Sequence, residues 1–217
     1  MNLKIKRAVF LNTVILAAFL LQVGCGTTGR QRSNDTRTTM KAVEQDYIQA
    51  LAQVDATGAS LDSIVNANQP DENKALQVYS DNVHKMKDME QRLFDHADQM
   101  RSQQKDYFEE WRMQGNTYTN PQIQALSDQR RADLSAVFAN IAEASVGVKG
   151  AFKAYMSDLV QIQTYLSTDL TPKGIAAITP TVQQSVSDGD SLKGAVNPVL
   201  TAIANARAEL AQGANKE

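Results

Sequence analysis

The sequence predicts an all-α fold, an elongated antiparallel up-down-up-down bundle of four helices with coiled-coil-like packing. Apolar residues recur at spacings of three and four through most of the chain after residue 33, and no segment alternates with period two. Gly and Pro together make up 16 of the 217 residues, so turns are few and helices are long. Four of the five prolines stand where a helix is expected to begin.

The first two helices are predicted over about residues 33–67 and 71–114. The apolar stripe of the first consists of Met40, Val43, Tyr47, Leu51, Val54, Gly58, Leu61 and Val65. The stripe of the second alternates steps of three and four over five heptads, as along the seam of a coiled coil. It consists of Leu76, Tyr79, Val83, Met86, Glu90, Leu93, Ala97, Met100, Gln104, Tyr107 and Trp111. Only Glu90 and Gln104 interrupt its apolar character.

The third helix is predicted over about residues 121–168 and the fourth over 172–212. The stripe of the third consists of Ile123, Leu126, Arg130, Leu134, Val137, Ile141, Ala144, Val148, Phe152, Tyr155, Leu159, Ile162 and Leu166. That of the fourth consists of Ile175, Ile178, Val182, Val186, Leu192, Val196, Leu200, Ile203 and Leu210. Thr179-Pro180 predicts that residues 172–178 form a separate turn before the main fourth helix, and Pro198 predicts a kink.

Small residues favour close packing of the third and fourth helices, and isolated Gly147, Gly150 and Gly189 indicate close helix contacts. The weakly charged fourth helix has a second interpretation, a surface on which another protein docks. Both interpretations remain open.

The N-terminal region has the layout of an export signal. Lys4, Lys6 and Arg7 precede an apolar run over 8–23, which is at the short end for a membrane span. A single cysteine, Cys25, follows the run directly after a small residue.

This arrangement resembles the bacterial lipoprotein signal. The resemblance implies a signal peptide over 1–24 that is removed, and a lipidated Cys25 that starts a flexible tether over 25–34. A single four-helix bundle domain over 35–214 follows. Gly26, rather than Asp, after the cysteine implies the outer membrane, facing the periplasm. The alternative is ordinary secretion, with Cys25 incidental.

Composition and spacing exclude several function classes. Lys and Arg number 22 and Asp and Glu 24, which excludes the basic footprint of a dedicated nucleic-acid binder. One cysteine cannot form an internal disulfide or a multi-cysteine zinc site. His84 and His96 lie twelve residues apart on one helix, where they cannot share a metal, and both are predicted on the solvated side. With no Gly-x-Ser-x-Gly elbow and no phosphate loop, we expect no catalytic residue, no cofactor and no metal.

Two features remain as candidate sites. If the second and third helices turn around residues 115–120, residues whose numbers sum to about 235 lie level, which predicts a polar seam contact between Gln104 and Arg130 that fixes register or specificity. The aromatic group near the same turn is either a plug that closes the bundle or an exposed recognition patch, and a free Trp111 indole would favour the patch. The group consists of Tyr107, Phe108, Trp111 and Tyr118.

Three segments carry a family resemblance. They are Tyr107-Phe108-x-x-Trp111, Leu126-Ser127-x-x-Arg130-Arg131 and Tyr165-Leu166-x-x-Asp169-Leu170-Thr171-x-x-Gly174-Ile175. On them the sequence resembles an uncharacterised family of bacterial predicted lipoproteins with long helices. The resemblance covers about residues 33–210, implies a helical bundle in the cell envelope and supplies no catalytic residue.

The leading interpretation is a non-catalytic envelope lipoprotein, a membrane-tethered helical scaffold or protein-interaction module. Its expected partners are the lipid bilayer, through acylated Cys25, and an envelope protein, while the regular seam also permits a homo-oligomer. The alternative is a carrier or sensor that binds a lipid or small apolar ligand between helices, which requires an internal cavity.

Overall fold

The computed structural model describes residues 28–66 and 71–212, of which 92% are helical and none lies in a strand. The prediction of an all-α helical bundle is confirmed. The described helices are α1 (Gly29–Val65), α2 (Glu72–Gly115), α3 (Pro121–Ala144), α4 (Val148–Thr168) and α5 (Pro172–Gln212).

The packing of the helices gives a four-part bundle. α1 packs against α2 and α5, and both α2 and α5 pack against α3 and α4. The two shorter helices therefore take the place of one long third helix. Ion pairs between α1 and α5 join Glu44 to Arg207 and Asp55 to Lys193, so the two helices run in opposite directions.

The core follows the stripe predicted for α2. Its buried members are Tyr79, Val83, Met86, Leu93, Met100 and Tyr107, while Glu90 and Gln104 are half-buried. Because Glu90 is partly withdrawn from water, burial raises the pKa of its carboxyl, and the nearby Lys149 and Lys87 partly offset that rise.

Two buried tyrosines tie the helices together across the core. The Tyr79 hydroxyl of α2 donates to the Leu159 carbonyl of α4 at 2.8 Å, and the Tyr155 hydroxyl of α4 donates to the Val54 carbonyl of α1 at 3.3 Å. Burial raises the pKa of both phenols. Each hydroxyl uses a carbonyl as its partner, so neither is buried without a hydrogen bond.

The third predicted helix is interrupted at Ser145–Gly147. Gly147 has a φ of +90°, in the left-handed region that favours glycine. The Ser145 hydroxyl donates to the Ile141 carbonyl at 2.7 Å and helps to end α3. A Cβ atom at Gly147 or Gly150 would meet no neighbouring atom, so these two glycines do not mark close helix contacts as predicted. Gly189 does, because a Cβ there would lie 3.1 Å from Val54 and 3.2 Å from Tyr155.

The starts of α1 and α5 also differ from the prediction. α1 begins at Gly29, where the Thr28 hydroxyl accepts from the Gln31 N–H at 3.2 Å, so residues 29–34 of the predicted tether are helical. α5 begins at Pro172 and is continuous through Pro180 and Pro198, so residues 172–178 are not a separate turn.

A local hydrogen-bond network explains the early start of α5. The Thr171 hydroxyl accepts from the Gly174 N–H at 3.2 Å and donates to the Asp169 carboxylate at 2.7 Å. The Thr171 backbone N–H donates to the same carboxylate at 3.2 Å, and the two hydrogen bonds from Thr171 lower the pKa of the Asp169 carboxyl. The helix therefore receives its cap at Thr171, before Pro172.

The prediction that three stripe residues are buried is wrong. Ile123 and Leu126, at the start of α3, are 50% and 72% exposed, and Val186 of α5 is 46% exposed. Burial of the third stripe begins at Leu134. Phe138, which lies outside the predicted stripe, is buried as well.

Candidate functional site

A cavity lies at the end of the bundle where α1 begins. It has a volume of about 550 Å³ and receives residues from α1, α2, α3, α5 and the connection between α2 and α3. Its lining residues are Gly29, Arg30, Arg32, Ser33, Asn34, Tyr107, Trp111, Gln114, Tyr118, Arg130, Leu134 and Leu210. We refer to it as the end cavity.

One wall of the end cavity belongs to an aromatic cluster. Tyr107 is buried and meets Phe108 and Trp111 edge-on, with ring centroids 5.3 and 5.8 Å apart. Phe108 in turn packs edge-on against Phe138 of α3 at 5.2 Å. Each edge-on pair of this kind stabilises by about 0.5–1.5 kcal/mol beyond the contribution of the apolar area that it buries. The cluster therefore fixes the end of α2 against α3.

The Trp111 indole is not free. Its Nε1–H donates to the Ser127 hydroxyl of α3 at 2.9 Å, and the ring is half-buried. Tyr107, Phe108 and Trp111 are thus packed in the manner of a plug. Tyr118 differs from them, because it lies in the connection and is 41% exposed.

Arginines form the polar part of the end cavity. Arg32 pairs with Glu110 at 3.2 Å and donates to the Gln114 side chain at 2.9 Å. Arg130 pairs with the Glu209 carboxylate of α5 and donates to the Glu209 carbonyl at 3.2 Å. Burial raises the pKa of the Tyr107 phenol, and the positive charges of both arginines partly offset this rise. The cavity thus combines an aromatic wall with paired guanidinium groups.

The structure does not bring Gln104 to Arg130. Arg130 pairs with Glu209 instead, and the buried Gln104 Nε2 has no hydrogen-bond partner among the described residues. Gln104 lies beside Ile141 and Ala142 in a second cavity of about 220 Å³, roughly three helical turns along α3 from Arg130. The α2 and α3 helices are therefore offset from the predicted pairing, in which residue numbers sum to about 235.

The contact between His96 and Asp46 was not predicted from the sequence. His84 is exposed as predicted, but His96 is half-buried, with its Nδ1 2.6 Å from the Asp46 carboxylate of α1. The Arg92 Nε donates to the other oxygen of the same carboxylate at 3.2 Å. Asp46 directly precedes the stripe residue Tyr47, which brings its carboxylate to the edge of the α1–α2 interface. The contact requires the register between α1 and α2, which neither helix reveals alone.

Within residues 28–66 and 71–212, no three His, Cys, Asp or Glu side chains come together to hold a metal ion. No helix in those ranges has an apolar stretch long enough to cross a bilayer. Cys25, the predicted signal peptide and the first residues of the predicted tether lie outside the described residues.

No family model, curated protein or solved structure matches this chain.

Proposed function

We propose that this chain is a non-catalytic envelope lipoprotein, acylated at Cys25, that acts as a membrane-tethered helical scaffold or protein-interaction module. The observation that carries the proposal is the position of Gly29. It starts α1 at one end of the bundle, and it lies only four residues after Cys25. An anchor at Cys25 would therefore hold the bundle by one end.

The bundle is long enough for an anchor at one end to hold the other end far from the bilayer. α2 has 44 residues, which corresponds to about 66 Å at 1.5 Å per residue. The end of α1, the start of α2 and the connection between α4 and α5 lie at the end remote from Gly29. Held upright at Cys25, the chain would present this remote end several tens of ångströms from the bilayer, where a partner protein could bind.

The anchor is tested by comparing the parent chain with Cys25→Ala in bacterial cells fed a clickable palmitate analogue. We expect label on the parent alone, and an N-terminal peptide of the parent that starts at an acylated Cys25 by mass spectrometry. A parent chain that carries no acyl group would contradict the proposal.

The scaffold role is tested by crosslinking in intact cells. A photo-crosslinking residue is placed at the remote end at Glu72, and in a matched variant at Ser191, an exposed position in the middle of α5. We expect a discrete adduct with an envelope protein from at least one position. Its absence from both, in a chain shown to be acylated, would count against an interaction module.

A second function, the binding of a lipid or small apolar ligand, is favoured by one observation. The end cavity has about 550 Å³, within the range of about 300–1,000 Å³ typical of ligand sites. Trp111, the only tryptophan of the chain, lines it and serves as a built-in reporter. We would titrate the protein with a fatty acid while following Trp111 emission, and repeat the titration with Ser33→Phe, which fills the cavity. Emission changes in the parent that Ser33→Phe abolishes would support this function, whereas an unchanged parent emission would remove it.

A further inference from the structure

Exposed apolar side chains gather at one turn of the bundle. Met113, Tyr118, Ile123 and Leu126 lie within 14 consecutive residues around the connection between α2 and α3, and all four are exposed. The other large exposed apolar residues of the described part are scattered singly, four along the helices and Val146 at the break between α3 and α4. Single exposed apolar residues are ordinary, but a group of four is a feature of interaction surfaces. We refer to residues 111–127 as the hairpin tip.

The hairpin tip is also nearly free of charge. Among its 17 residues only Arg112 is charged, and that residue pairs with Glu109 at 2.6 Å. The remaining polar side chains are amides and hydroxyls. A helix end that meets only water normally carries charged or polar residues, and few large apolar ones, on its outer face. An exposed tyrosine such as Tyr118, beside apolar and uncharged polar groups, is instead typical of a segment at the membrane–water interface.

The hairpin tip lies beside the start of α1. Tyr118 of the tip and Gly29 of α1 line the same end cavity. Gly29 lies four positions after Cys25, and at roughly 3.6 Å per position the chain between them spans at most about 14 Å. Acyl chains on Cys25 would therefore bring the membrane surface to the hairpin tip.

We propose that the hairpin tip inserts its apolar side chains into the interface of the same membrane that anchors Cys25. The inference rests on the proposed function, since it needs the anchor. The occupant is a lipid bilayer rather than a protein, because the anchor holds the tip at the membrane surface. Insertion is also inexpensive, since the tip has almost no charged group that would have to be desolvated. The tip then acts as a second contact, which keeps the bundle upright.

The test uses the acylated full-length chain in phospholipid vesicles. In one variant, Leu126→Cys, a thiol-reactive and environment-sensitive fluorophore is attached to the hairpin tip. In the other, Val146→Cys, the same fluorophore is attached at the break between α3 and α4. Val146 is a matched control because it is apolar and 82% exposed but lies 20 residues away along the bundle. Acylation occupies the thiol of Cys25, so it leaves no competing labelling site. Lipids that carry a nitroxide in the headgroup or upper acyl chain report depth by quenching.

We expect quenching and a blue-shifted emission at position 126, and neither at position 146. Unquenched probes at both positions in an acylated chain that floats with the vesicles would overturn the inference while leaving the anchor intact. Equal quenching at both positions would overturn it as well, because the bundle would lie flat. A blue shift at 126 without lipid quenching would overturn it in favour of a second copy or a protein. A chain without acyl mass that does not float would refute the proposed function, and the inference with it.

Discussion

Replacing Gly174 with alanine is expected to destabilise the fold, because this glycine lies inside the cap of α5. A Cβ atom at position 174 would lie 2.5 Å from both the backbone oxygen and the Cγ of Asp169. That is roughly 1 Å inside the 3.4 Å at which ordinary van der Waals contact begins. Since one of the two atoms belongs to the backbone, the chain at Asp169 has to move. The movement also disturbs Thr171, whose hydroxyl joins Asp169 to the Gly174 N–H.

Three terms set the size of the effect at Gly174. Overpacking of a tight site costs about 1–3 kcal/mol. Loss of the hydrogen bond from the Gly174 N–H to the Thr171 hydroxyl, which caps α5, adds about 1 kcal/mol. The higher helix propensity of alanine returns about 1 kcal/mol. We therefore expect Gly174→Ala to lower the free energy of unfolding by about 1–3 kcal/mol.

The assay is urea unfolding of the purified protein, followed by far-ultraviolet circular dichroism. The control is Gly194→Ala in the same helix, where a Cβ atom would meet no neighbour, and which we expect to stabilise by about 0.5–1 kcal/mol. The two glycines should thus respond with opposite signs. A midpoint for Gly174→Ala that rises with that of Gly194→Ala would refute the assignment of Gly174 to a crowded cap.

The Gly174→Ala effect should also depend on pH. Hydrogen bonds from Thr171 hold the pKa of the Asp169 carboxyl below its ordinary value. A carboxyl with a lowered folded-state pKa stabilises above its ordinary pKa, and the stabilisation is lost as the pH falls through the folded-state value. We therefore expect part of the difference between the parent and Gly174→Ala to vanish in acid. A difference that is constant from neutral to acid pH would show that the contribution of Asp169 survives the substitution.

Three further predictions concern the core and its edges, and each is checked by urea unfolding. Tyr79→Phe should destabilise by about 1–2 kcal/mol, because it removes the buried donor to the Leu159 carbonyl, whereas Tyr118→Phe at the exposed connection should have no effect. Asp158→Asn should stabilise at neutral pH by up to about 1 kcal/mol after screening, because burial and then the neighbouring Asp188 carboxylate raise the Asp158 pKa. A raised carboxyl pKa means that stability falls as the pH rises through it, so this gain should disappear in acid; a gain that persists there would contradict the stated cause. Asp46→Ala should cost about 1–3 kcal/mol, since the buried carboxylate accepts from two side chains of α2, and an unchanged midpoint would show that those contacts are not needed for stability.

The sequence was sufficient for elements whose signal is local. The regular stripe of α2 predicted the burial of Tyr79, Val83 and Met86, because a helix that packs along its whole length buries every seam residue. Asn120-Pro121 predicted the start of α3, because the asparagine side chain accepts from the Gln122 N–H at 2.9 Å.

Signals that depend on neighbouring helices were misread. The apolar stripe continues without a gap across Ser145–Gly147, which hid the break between α3 and α4. Likewise, Ile123 and Leu126 have the spacing of seam residues, but spacing does not reveal where the covering helices end. Thr179-Pro180 resembles a helix start, although the tighter network around Thr171 begins α5 eight residues earlier.

The candidate site was the least predictable part, because its wall comes from four helices and one connection. The partner of Arg130 is Glu209, 79 residues away on α5, and no property of α3 alone points to it. The contact proposed between Gln104 and Arg130 assumed that the α2–α3 turn sets the register. The two helices instead pack in a different register, in which Phe108 of α2 meets Phe138 of α3. Tyr107 and Trp111 were found from sequence, since aromatic residues near a turn are conspicuous; the cavity beside them was not.

The third apolar stripe is exposed at its start and covered farther along. From Leu134 onward the stripe is buried, whereas Ile123 and Leu126 continue the same spacing without any covering helix. A helix that merely extends beyond its partners into water would normally carry charged or polar residues on all faces there. The hairpin tip instead exposes four large apolar side chains and has one charged residue in 17, which a helix that simply extends beyond the core does not explain. Because the same end also holds the start of α1 and the end cavity, contact with the proposed membrane accounts for the exposed side chains and the missing charge together.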